Sequence, residues 1–154
     1  MDKDIYEVLM EEHKEAKSLL EKLASSTAQQ DAEMRREKGR KLALELITHD
    51  EAESATLYDR LMEFDDMRDH VAEHQSEHEE ANDELRSLLD IDVEDSEWLD
   101  KLKEIKKAVE HHVEDEENKL FPEAKKHLSE DEAKKMARKF KQEQDRRKEQ
   151  MQAA

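Results

Sequence analysis

Met67-Arg68-Asp69-His70-Val71-Ala72-Glu73-His74-Gln75-Ser76-Glu77-His78-Glu79-Glu80-Ala81-Asn82-Asp83-Glu84-Leu85-Arg86-Ser87-Leu88 is the stretch that decides the fold. Its apolar register runs Met67, Val71, His74, His78, Ala81, Leu85 and Leu88, in steps of three or four, which is the period of one helix face. Two histidines therefore stand where the pattern calls for leucine. Burying an unpartnered neutral polar group costs on the order of 2–7 kcal/mol, so something is expected to bind these imidazoles. Residues four apart share one side of a helix, which makes His74 and His78 a two-point clamp.

Three other segments carry the same signature. The first runs Ile5, Leu9, His13, Ala16, Leu20, Leu23, and the last runs Trp98, Leu102, Ile105, Val109, His112, Glu116, Leu120. The remaining one is less regular, with Leu42, Leu46, His49, Glu53, Leu57 and Leu61. In all, five of the eight histidines and two glutamates occupy seam positions. Seven polar groups facing one core imply a metal, because a metal-free bundle would leave them without partners.

The composition supports a folded helical chain. At 154 residues it is one domain by length. Its 46% charged and 34% hydrophobic residues would suit disorder, but the apolar residues are phased rather than scattered. One glycine, one proline and no alternating apolar–polar stretch make the expected class all-α. The formal charge of −17 repels nucleic acid and anionic membrane surfaces, so neither is expected as a partner. The opening Met1-Asp2-Lys3-Asp4 lacks a basic region leading into an apolar run, and no run of about 18 apolar residues occurs, so a cytoplasmic protein is expected. The absence of cysteine leaves imidazole and carboxylate as the strong metal ligands.

Helices are expected over residues 3–24, 31–63, 67–90, 97–121 and from Ser129 to about 150. Gly39 is a candidate break in the second, Asp66 a candidate N-cap of the third, and Pro122 the point where the fourth closes or kinks. Ser129 and Glu132 have capping-box spacing. An internal repeat crosses this plan. His49-x-x-x-Glu53-x-x-x-Leu57-Tyr58 is similar to His112-x-x-x-Glu116-x-x-x-Leu120-Phe121, and Glu12-His13 to Glu77-His78. Two helix pairs of one design point to an up-down four-helix bundle over residues 1–125, with an additional C-terminal helix in 126–154 as an appendage.

Five imidazoles and two carboxylates exceed the four ligands of one zinc, so two metals bridged by carboxylates are the better fit. Nitrogen and oxygen ligands without sulfur suit iron, manganese or zinc, and only a redox-active ion makes an open position useful for dioxygen or a related small molecule. Iron is the expected metal. A ferritin-like site is excluded, because none of the eight histidines has glutamate three residues before it. His70, His111 and His127 lie off the seam and are expected at the surface or, for His70, beside the ligands. Tyr6, Tyr58, Trp98 and Phe121 read as bundle packing, with Tyr58 and Phe121 as lids one turn beyond the carboxylates.

With these motifs the chain resembles the hemerythrin-like (HHE cation-binding) family over roughly residues 5–125. The resemblance implies a non-haem di-iron centre with ligands His13, His49, Glu53, His74, His78, His112 and Glu116. Glu53 and Glu116 would be bridges of an oxo- or hydroxo-bridged pair. By analogy with the oxygen carriers, His74, His78 and His112 would hold one iron and His13 and His49 the other. The carriers place their last carboxylate five residues after its histidine, where this chain has Glu117, so Glu116 and Glu117 both remain open as the bridge. Ser54 and Asp59 also stand where relatives often have a second glutamate and a proline. The expected function is reversible binding of dioxygen or another small diatomic or peroxide ligand, for storage, delivery or sensing. The alternatives are a stress-defence enzyme acting on peroxide or nitric oxide, and an iron-responsive regulatory module. The wall of Leu9, Leu46 and Val109 is expected to offer few proton donors, which favours the reversible reading.

Overall fold

The computed structural model describes residues 2–153, and all regular structure in them is helical. Helix α1 spans Ile5–Ala24 and opens on a capping box, with Asp4 accepting from the Glu7 amide at 2.9 Å. Helix α2 spans Ala28–Glu53 and continues through a π-turn, Ser54–Tyr58, into the short turn Asp59–Leu61. Helix α3 spans Arg68–Leu89. Helix α4 spans Ser96–Asp115 and continues through a second π-turn, Glu116–Leu120, into Phe121–Ala124. Helix α5 spans Glu130–Ala153.

Each of α1 to α4 packs on the helix before and after it, and α4 closes on α1, so the four form an up-down bundle with α5 laid across α1 and α2. Apolar seams form two cores. One gathers Ile5, Leu9, Leu57, Val71 and Phe121; the other gathers Leu20, Leu42, Leu85, Trp98 and Leu102. The polar seam positions lie between them. Among the described residues, no helix is long and apolar enough to cross a membrane.

Several boundaries differ from the sequence expectation. Helix α2 begins at Ala28, and its irregularity lies at Asp31, whose side chain turns back to accept from the Thr27 amide at 2.8 Å. Gly39 breaks nothing. It lies beneath Trp98, where a Cβ would meet the ring at 3.6 Å, an ordinary contact. Met67 rather than Asp66 takes the N-cap position of α3, without a side-chain cap bond, and Asp66 pairs with His127 Nε2 at 2.9 Å. Pro122 does not end α4, since it sits in the first turn of Phe121–Ala124, where its missing N–H is tolerated. Ser129 caps the Glu132 amide at 3.1 Å, but the Glu132 side chain turns to Arg60 and leaves the capping box half made.

The far end of the bundle is tied by Arg35. This buried guanidinium donates to Ser26 Oγ and Ser26 O, each at 2.8 Å, and to Val93 O at 2.7 Å, and it lies 4.8 Å from the Trp98 ring. It joins the α1–α2 turn to the α3–α4 turn.

Candidate metal centre

The bundle brings all seven seam residues together: His13 from α1, His49 and Glu53 from α2, His74 and His78 from α3, His112 and Glu116 from α4. They form two overlapping groups. Glu53, His78, His112 and Glu116 place one donor atom each within 4.8 Å of one another, and so do His13, His49 and Glu116. Glu53 Oε1 lies 3.4 Å from His78 Nε2 and 3.6 Å from His49 Nε2. Glu116 Oε1 lies 3.2 Å from His13 Nε2, while its Oε2 lies 3.6 Å from both His74 Nδ1 and His112 Nε2. Each carboxylate thus faces histidines of both halves, which is the placement a bridging ligand needs. His112 Nε2 is 3.0 Å from His78 Nε2 and 3.4 Å from His74 Nδ1, so those three imidazoles converge.

Both oxygens of Glu53 and Oε1 of Glu116 are buried without a hydrogen-bond partner, on residues at 0% exposure. A buried carboxylate without donors is strongly unfavourable, and a cation among the facing imidazoles supplies what is missing. The donor set fits hard or borderline divalent and trivalent ions that accept oxygen and imidazole.

The outward nitrogens of these imidazoles are also engaged. His13 Nδ1 meets Glu117 at 2.7 Å, His49 Nδ1 meets Glu12 at 2.9 Å, and His112 Nδ1 meets Glu77 at 2.7 Å. His74 is reversed, with Nε2 on Asp115 at 2.6 Å and Nδ1 turned inward; Asp115 is shared with His70, also at 2.6 Å. His78 Nδ1 meets only the Ser54 hydroxyl, at 3.3 Å. A carboxylate on one ring nitrogen takes its proton and leaves the other nitrogen's lone pair for a metal.

Both π-turns sit directly at Glu53 and Glu116. A π-turn closes hydrogen bonds five residues apart, and π-bulges recur at functional sites. Five residues on from Glu53 and Glu116 come Tyr58 and Phe121, and each returns its ring to the centre. Phe121 stacks on His13 with centroids 6.3 Å apart, and Tyr58 stacks on His78 at 5.0 Å. Tyr58 adds a hydroxyl, which donates to Glu116 Oε2 and lies 3.3 Å from His74 Nδ1 and 3.4 Å from both His78 Nε2 and His112 Nε2. Tyr58 is thus a site residue rather than packing alone, because the π-turn redirects it.

Charge is distributed unevenly. Burial and the neighbouring Glu116 push the Glu53 carboxyl well above the usual range. Burial would raise Glu116 too, but hydrogen bonds from His112, His13 and His74 outweigh it and hold Glu116 well below. Burial disfavours charge on His13 and His112, yet their carboxylate partners raise them to about 9 and about 10. His78 is driven well below the histidine range by burial and by the charge of His112. Burial lifts Asp50 to about 8. Tyr58 is held well above the phenol range by burial, Glu116 and Glu53, so it keeps its proton at neutral pH.

A cavity of about 520 Å³ reaches the centre between α2, α3 and α4, lined by Leu46, His49, Asp50, His78, Val109 and His112 among others. Its wall is apolar at Leu46 and Val109 as expected, but Leu9 does not line it, and it also carries the Asp50 carboxyl. The cavity opens beside Ala81, which leaves Asn82 as the buried neighbour on α3. A second cavity, of about 590 Å³, reaches His13 and His49 between α1 and α2.

The model of the hemerythrin HHE cation binding domain matches residues 4–124. The chain belongs to this family. A solved structure of a hemerythrin HHE cation binding domain-containing protein from Mycobacterium kansasii has the same fold, with a TM-score of 0.79 and 24% sequence identity, covering 96% of this chain and 89% of that one. No curated protein matches. Of the two glutamates left open as the bridge in this HHE domain, Glu116 points inward and is fully buried, whereas Glu117 points outward onto His13. Ser54, in the place of a second glutamate, occupies the equivalent position on His78. His111 is exposed, and His127 lies against Phe64 with centroids 4.3 Å apart, away from the centre. Glu12, Glu77 and Asp115 escaped the sequence reading, and Glu117, open there as the bridge, supports His13 instead. The adjacency of Glu12 to His13 and of Glu77 to His78 in the repeat was the one available signal.

Proposed function

We propose that the chain is a non-haem di-iron protein that turns over a small oxidant, hydrogen peroxide above all, at the ion held by His13 and His49. In this reading His74, His78 and His112 hold the other iron, and Glu53 and Glu116 bridge the pair. When bound, the two irons supply the redox equivalents for converting two molecules of peroxide into two of water and one of dioxygen.

The observation that carries the choice of turnover over reversible binding is the Tyr58 hydroxyl. A positioned proton donor assists bond cleavage in a bound ligand and so favours turnover. Here a phenol that stays protonated at neutral pH is bonded to Glu116 Oε2, and the other oxygen of that carboxylate lies 3.2 Å from His13 Nε2, so the phenol is linked to the His13 side through Glu116. Tyr58 holds a proton at Oη, Glu116 Oε2 orients it, and Leu46 and Val109 limit water in the cavity. The second reading, reversible dioxygen binding, is favoured by those same apolar side chains and by Leu9 above His13.

The test is anaerobic loading with ferrous iron, followed by dioxygen and, separately, hydrogen peroxide. Multiple turnovers with dioxygen evolution support the enzyme reading. Tyr58→Phe should lower kcat on the order of 10²-fold, as loss of a positioned proton donor does, with both irons retained. A coloured complex with dioxygen that reverses under vacuum, without peroxide turnover, would move the assignment to the carrier.

A further inference from the structure

Helix α5 lies outside the family match of residues 4–124, yet it reaches the centre. Phe140, Lys141 and Gln144 lie on one face by their spacing. Phe140 sets its ring edge-on to His49, with centroids 5.7 Å apart. Gln144 Nε2 donates to Glu12 Oε1 at 2.8 Å, and Lys141 Nζ donates to Glu12 Oε2 at 2.8 Å. Glu12 Oε1 in turn meets His49 Nδ1 at 2.9 Å. Phe140 is 0% and Gln144 1% exposed, so this is a built-in contact and not a loose surface pairing.

The repeat supplies an internal control. Glu77 does for His112 what Glu12 does for His49, but its side chain is 34% exposed, against 13% for Glu12. No helix covers Glu77, whereas Glu12 is clamped from above by an amide and an ammonium. The clamped half is also the one with fewer imidazoles.

We propose that α5 is part of the metal centre: Gln144 and Lys141 are positioning residues that fix Glu12, and through it His49, so that retention of the ion at His13 and His49 depends on this helix. The inference rests on the two-ion reading above. With its donors in place, Glu12 stays oriented, accepts a hydrogen bond from His49 Nδ1–H and leaves the Nε2 lone pair for the ion. Without them the carboxylate turns toward solvent and His49 loses its anchor.

The experiment uses the full chain carrying Gln144→Leu and Lys141→Met, titrated anaerobically with ferrous ion against a competing chelator. Wild type should take two ions. The double variant should hold one of them about 10- to 100-fold more weakly, the usual cost of losing a group that supports a ligand, and leave the other unchanged. Metal-free melting should be unaltered, and Lys141→Arg with Gln144 retained should behave as wild type. Glu77→Gln should weaken the opposite ion. If the double variant does not fold, Gln144→Met alone carries the same test. Two ions held at wild-type affinity, or equal weakening of both, would overturn the proposal. A wild-type chain that takes a single ion would overturn the two-iron reading, and this proposal with it.

Discussion

The two halves of the centre are built to one plan and finished differently. Glu12-His13 with His49-Glu53 makes one half, and Glu77-His78 with His112-Glu116 the other. In the first, the place equivalent to His74 is Leu9, and the ring stacked on its α1 histidine is Phe121, brought across from the π-turn at Glu116. In the second, the corresponding residues are His74 and Tyr58. One half thus adds an imidazole and a phenol where the other has two hydrocarbons. On the proposed two-iron reading, a duplicated plan with unequal finishing would give one ion more ligands than the other.

The largest expected effect comes from the residues that the halves share. Glu116→Ala removes a carboxylate facing His13 on one side and His74 and His112 on the other. Metal analysis should find at least one ion lost per chain, and full occupancy by two would break the bridging assignment. Next comes the extra imidazole. His74→Leu makes the second half imitate the first, and it should weaken retention of that ion less than His78→Ala does. The reverse order would show that the repeat register is misread by one turn.

A smaller effect concerns protons. In the metal-free protein His13 and His112 keep protons to about 9 and about 10, above the 6.5 of an ordinary histidine, and Asp50 keeps its proton to about 8, above 3.8. Each binds a proton that the unfolded chain has already released. The histidines' contribution is complete below pH 6.5 and is lost as pH rises through 9 to 10, while that of Asp50 is lost as pH rises from 3.8 to 8. The melting temperature of the metal-free protein should therefore fall between pH 6.5 and 9. With iron bound the ligands are already deprotonated, and affinity rises with pH, so the histidines' share of the fall should vanish. A metal-free curve that rises over this range would contradict the charge distribution. The smallest effect is expected from Ser54→Ala. It removes one neutral hydrogen bond from His78, a net 0.5–1.5 kcal/mol or so, and should weaken that ion by about tenfold or less.

The seam made the bundle and its seven inward groups legible, because a polar residue in register with leucines stands out without any knowledge of the fold. The carboxylates behind the imidazoles were not legible, since Glu12 supports His49 and Glu117 supports His13 across helices that only tertiary packing brings together. Tyr58 was hidden by the π-turn, which has no local sequence signal and changes the face on which the next turn lands. Helix α5 looked like an appendage because Phe140 and Gln144 sit in a strongly charged stretch. Their burial against His49 and Glu12 depends on how α5 crosses α1 and α2.

The central claim is that two unequal iron ions share Glu53 and Glu116. Mössbauer spectroscopy of the chain loaded anaerobically with ⁵⁷Fe tests it most directly, because it counts iron environments without requiring activity. The account predicts two irons per chain giving two quadrupole doublets of equal area, with Leu9→His drawing the two together. A single iron per chain, or one doublet for both irons, would contradict it.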